Sequence, residues 1–125
     1  MRIMVTLLSF CAMTLLAAAA QADQGPQFTL VRDGKPLATI VITAEPTVAT
    51  AFAAEELQDH VRRITGATLP IVPDSVPVTG ARVLVGRSQA TDALGLPGDP
   101  LKPQEYLIRY LPDTLVLLGC ETGAA

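Results

Sequence analysis

Tryptophan is absent from this chain, histidine occurs once and cysteine twice. Those shortages remove whole classes of chemistry. Metal centres need three or four Cys, His or carboxylate ligands at a workable spacing, and His60 alone cannot supply one. No Gly-x-Ser-x-Gly sequence marks a nucleophile at a strand-to-helix turn. Gly80, Gly86 and Gly95 do not form a phosphate-cradling loop. Lys and Arg number 9 against 12 Asp and Glu, and they are scattered, so the basic stripe that nucleic acid requires is missing. Aromatic residues make up only 4% of the chain, and after the first 22 positions they are Phe28, Phe52, Tyr106 and Tyr110. That is too few to wall a deep sugar-binding pocket.

What is present begins with a leader. Arg2 forms a short positive n-region, and Ile3 to Ala20 is apolar apart from Thr6, Ser9 and Thr14. Ala20-Gln21-Ala22 then fits the small-x-small cleavage rule, which would make Asp23 the first mature residue. A transmembrane anchor is the rival reading, since the apolar run approaches membrane-spanning length. The alanine-rich end and the cleavage motif favour a signal peptide over residues 1–22. The expectation is an exported protein, periplasmic or extracellular, without stable membrane insertion. Residues 23–125 then make one small domain with a modest core. Cys11 leaves with the leader, so Cys120 has no partner within the mature chain. A lone thiol in an oxidising compartment is buried or directed at another chain. Cys120 follows an apolar run, so burial is expected.

The best-specified element is a helix over Val48 to Thr65. Ala49, Ala53, Leu57, His60, Val61 and Ile64 recur at spacings of three and four, predicting a buried stripe. Glu55, Gln58, Asp59, Arg62 and Arg63 fall on the opposite side, and Asp59 is spaced to pair with Arg62 and Arg63. Pro46 and Thr47 form a start signal, and Gly66 a stop signal. Leu57→Ala, at the middle of the stripe, should cost about 2–5 kcal/mol. Phe52 falls on the polar side. It is either an ordinary exposed aromatic or a mark of where a second domain covers the helix.

Strand signals surround this helix. Phe28 to Arg32 and Leu37 to Thr43 flank Asp33-Gly34, a hairpin signal. Leu69 to Val72 lies between prolines, which suits an edge. Ala81 to Gly86 reads as a buried strand, Ser88 can cap a short helical turn ending at Gly95, and Leu96 to Gln104 is proline-broken. Tyr106 to Tyr110 and Thr114 to Gly119 form a second hairpin, with Leu115 to Leu118 apolar on both faces and so covered on both. The predicted fold is α+β, a small mixed or antiparallel sheet with one main amphipathic helix packed on one face.

The residues that could carry chemistry are weak in context. His60 sits on the apolar stripe, where a partly buried structural histidine is expected. Cys120 with His60 would be a nucleophile–base pair lacking a third group. Glu55, Glu56 and Asp59 read as a solvated helix face with internal ion pairs. No catalytic, cofactor-binding or metal-binding residue is assigned.

The order of motifs adds something the spacing does not. Ala53 to Val72, AAEELQDHVRRITGATLPIV, is followed by Val85-Gly86-Arg87-Ser88, an Ile108-Arg109 strand and an apolar strand ending at Gly119. This succession resembles the N-terminal domain of alpha-glucuronidases and related glycoside hydrolases, which is similar to the second domain of beta-hexosaminidases. The resemblance covers nearly all of residues 23–125. It implies an α+β, non-catalytic domain that precedes a catalytic (β/α)8 barrel, with a second helix following the last strand. Gly123-Ala124-Ala125 would begin that passage, so the chain is expected to be a C-terminally truncated fragment. No catalytic residue of that family has a counterpart here. The implied partner is the barrel of the same or a parent chain, with carbohydrate met only indirectly. The alternative is a free-standing exported module that binds carbohydrate or protein.

Overall fold

The computed structural model describes residues 27–121. The expected leader with its cleavage site, and residues 122–125, lie outside them. Among the described residues no helix is long and apolar enough to cross a membrane.

Asp33 and Gly34 turn the chain between β1 (Val31–Arg32) and β2 (Lys35–Pro36), an antiparallel ribbon with Val31 opposite Pro36. Both turn residues have positive φ, 51° and 71°, which matches the twist of a tight hairpin. The expected hairpin is present but short. After Leu37, whose N–H bonds the Leu30 carbonyl at 2.8 Å, the chain leaves the ribbon. It becomes β3 (Ala38–Ile42), a strand of a separate five-stranded sheet. Ala38, Ile40 and Val41 are buried on alternating faces, a pattern that suits a sheet covered on both sides.

The helix α1 spans Val48–Thr65 as its start and stop signals require. Thr47 Oγ1 accepts from the Thr50 N–H at 3.1 Å. Gly66, at φ 77°, closes the other end by donating to the Arg62 carbonyl at 2.8 Å. The buried face, however, is not the expected stripe. Thr50, Ala54 and Val61 are buried and Leu57 is half-buried, whereas Ala49, Ala53, His60 and Ile64 are exposed. At about 100° per residue, the helix is turned roughly 60° from the apolar count. Two polar contacts account for the turn. The Thr50 hydroxyl donates to the Glu121 carboxylate at 2.9 Å, which lets a threonine face inward satisfied. Gln58 Nε2 donates to the Leu69 carbonyl at 2.7 Å and draws that flank towards the sheet.

The five-stranded sheet runs β4 (Ile71–Pro73), β3, β5 (Ala81–Val85), β7 (Thr114–Gly119), β6 (Tyr106–Leu111). Neighbours are parallel except β6, which pairs antiparallel with β7 through the Pro112-Asp113 turn. The fold is therefore α+β, with one main helix and a mixed sheet. On one face, Ile40, Val83 and Val85 pack beneath Ala54 and Val61 of α1. On the other, Val41, Leu84, Val116 and Leu118 are closed over by Leu96 and by Ala90 of α2 (Gln89–Ala93). Ser88 caps α2 in a reciprocal box with Thr91. The run Leu115 to Leu118 is fully covered on one face and only partly on the other: Val116 and Leu118 are buried, but Leu115 and Leu117 are half-buried.

Asp59 accepts from Arg62 and Arg63, each at 2.5 Å. The Arg62 hydrogen bond, reinforced by the Arg63 charge, holds its carboxyl below the ordinary value. A depressed carboxyl contributes stability above its unfolded pKa and loses it as pH falls through the folded one. Asp59→Asn should therefore lower the melting temperature slightly at neutral pH. The gap to wild type should close as pH falls below about 4. Thermal melts of both proteins across that range check this.

Candidate functional site

Five strands spaced about 4.8 Å apart make a sheet roughly 19 Å wide. One helix is about 10 Å across and covers only half of it. Here α1 packs on β4, β3 and β5. The β7–β6 strip on the same face is left as an apolar groove of about 1140 Å³. Its helix-side wall is Ala49 and Ala53, with Val48 and Phe52 at the rim, 89% and 61% exposed. Its floor is Val85, Leu117 and Gly119, and its far side is Tyr106 and Ile108 on β6. The small side chains of Ala49 and Ala53 keep the wall low. An element lying in the groove could approach the helix backbone closely. Phe52, on the polar side of the wheel by sequence, overlooks this groove.

One end of the groove is fixed by a polar cluster. The Glu121 carboxylate accepts from Thr50 Oγ1 at 2.9 Å and from the Arg87 N–H at 3.0 Å, and it rests against Gly86. This contact ties the segment after β7 to the first turn of α1. Thr50 and Glu121 are 71 residues apart, and no local pattern announces the pairing.

The structure does not bring the candidate chemical groups together. Cys120 is half-buried at the groove, not buried as expected, and its N–H bonds the Glu105 carbonyl at 3.2 Å. His60 does not line that groove. It is exposed, against expectation, with Nδ1 2.8 Å from the Glu56 carbonyl and 3.7 Å from the Glu56 carboxylate. The helix rotation that buries Thr50 is what carries His60 outward. Glu55 and Glu56 are exposed, and Asp59 is taken up by two arginines. Among the described residues no group of three or more His, Cys, Asp and Glu gathers to hold a metal. A smaller hollow of about 600 Å³ lies at the opposite end of β6, where Phe28 meets Tyr110 edge to face at 6.4 Å. No protein-family model, curated protein or solved structure matches the chain.

Proposed function

We propose that residues 23–125 are a non-catalytic accessory domain of an exported carbohydrate-active glycoside hydrolase, and that the groove seats against the remainder of the parent enzyme. The observation that carries this reading is the asymmetry of the sheet. One face is closed by α2 and the loop after it, while half of the other is apolar, half-buried and one helix wide. Such a strip suits packing better than chemistry. Apolar surface left in water costs about 25 cal/mol per Å², and a contiguous patch of this kind marks an interaction site. The motif succession from Ala53 to Gly119 supplies the class of parent, a glucuronidase or hexosaminidase type of enzyme with a (β/α)8 barrel.

The carboxylates fit an accessory role. Glycosidases place two across the scissile bond, about 5–5.5 Å apart in retaining enzymes and about 6.5–9.5 Å in inverting ones. Glu55, Glu56 and Asp59 lie along one helix, and Glu121 is held by Thr50 and Arg87. The exported chain should give no turnover of aryl-glucuronides or aryl-hexosaminides; hydrolysis above a buffer blank would sink the proposal. Reading the gene past codon 125 gives the second test. An in-frame barrel is expected, while a stop with no such barrel nearby would favour the free-standing binding module. That second reading draws on Phe52, Tyr106 and Tyr110, all more than half exposed.

A further inference from the structure

The two edges of the five-stranded sheet are unlike. β4 is three residues long, contains Pro73 and follows Pro70, so it offers little to a further strand. β6 has six residues, no proline and a single charge, Arg109. Its free backbone groups can be assigned. The two-residue turn makes Leu111 and Thr114 the terminal bonded pair, so odd-numbered β6 residues bond to β7. The Cys120 N–H to Glu105 carbonyl bond continues that series. On β7, Leu117 and Asp113 bond the other way, to Gly86 and Arg82. Tyr106, Ile108 and Tyr110 therefore carry their N–H and C=O groups outward. Each of these residues is more than half exposed.

We infer that β6 is the pairing edge of a two-fold dimer, in which it adds antiparallel to β6 of a second copy and makes one continuous sheet. Charge selects this occupant. Antiparallel pairing about Leu107 sets Arg109 opposite Glu105 of the partner subunit, and by symmetry this occurs twice. These are non-hydrogen-bonded pairs, whose side chains lie closest. Ile108 then faces Tyr106 of the partner subunit, a favourable cross-strand combination. A shift of two pairs one way places Arg109 against its own copy; an intermediate shift sets it against leucine. Within the chain, the ion pairs among the described residues are those of Asp59 and His60, and none involves Arg109 or Glu105. Glu105 uses Oε2 to accept from the Lys102 N–H at 2.7 Å, which holds the side chain at the strand end with its other oxygen unused there.

The contact is small, so the dimer is weak, with a dissociation constant of roughly 10–100 μM. It leaves the groove open and does not depend on the accessory-domain reading. The test is sedimentation velocity from about 1 to 300 μM on the chain produced from the full 125-residue sequence. Wild type should shift from monomer to dimer over that range. Arg109→Glu should weaken association about tenfold or more, and adding Glu105→Arg should restore it. Phe52→Asp, at the groove rim, should leave it unchanged. Circular dichroism confirms that each variant is folded, and Ile108→Pro, whose N–H points away from β7, gives an independent loss of the edge. A monomer throughout would overturn the inference. So would association insensitive to Arg109→Glu, or association abolished by Phe52→Asp.

Discussion

Leu84→Ala should lower the stability of this domain by about 2–5 kcal/mol, the range for deleting a fully buried leucine. Leu84 is 0% exposed and stands on the central strand β5, with Val41 of β3 on one side and Val116 of β7 on the other. Both neighbours are themselves buried, so the vacated volume has nothing mobile to fill it. Leu57→Ala provides the contrast. By periodicity Leu57 sits at the centre of the buried stripe, but it is half-buried beside the groove, and its loss should cost about 1–2 kcal/mol. Urea denaturation of the two variants, compared with wild type at a common slope, separates the values. Equal losses would mean that the helix lies on the sheet in the orientation the sequence suggests.

Gly86→Ala should be the other large effect, roughly 2–4 kcal/mol, and it has two parts. Gly86 sits at φ 74°, where an alanine is strained by about 1–2 kcal/mol whatever surrounds it. Its added Cβ would also fall 2.5 Å from Glu121 Oε1 and 2.7 Å from Thr50 Cγ2 and Oγ1. Thr50 is buried and bonded to Thr47, so Glu121 is the group that gives way. Its bonds to Thr50 and Arg87 are then lost. In the Gly86→Ala background, Glu121→Ala should cost less than it does alone, because the carboxylate has already been displaced. A double-mutant cycle by thermal melting measures that difference. Strict additivity would show that Glu121 does not touch this site in solution.

Much of the fold was legible because its signals are local. Thr47 and Gly66 bound the long helix, Ser88 caps the short one, and Asp33-Gly34 and Pro112-Asp113 make their turns. The prolines around Leu69 to Val72 mark an edge, and β4 is one. Each of these features is decided within a few residues. The orientation of α1 is not. It depends on Thr50 meeting Glu121 and on Gln58 reaching Leu69, contacts that a count of apolar positions cannot see. That count alone puts His60 and Ile64 inward, where the structure has both exposed. Pairing partners were also hidden, since β3 reads as the second arm of a hairpin yet lies parallel to β4 and β5. The groove has no sequence signature for a related reason. An apolar strand reveals that it wants cover, and Leu115 to Leu118 do, but only three dimensions show which face lacks it.

The position of β7 bears on how the chain can assemble as it is made. β7 is the last strand among the described residues, yet it lies inside the sheet between β5 and β6. Its alternate side chains enter both core clusters. A growing polypeptide that has emerged only as far as Leu111 owns β6 with nothing to pair it to, and β5 with one flank bare. The cluster that holds Val116 and Leu118 cannot then close. The sheet is completed only when β7 enters between β5 and β6, with Arg82 and Gly86 ready to receive it through the Asp113 and Leu117 carbonyls. Closure of the sheet thus waits for Thr114 to Gly119, and the nascent domain stays open until they emerge.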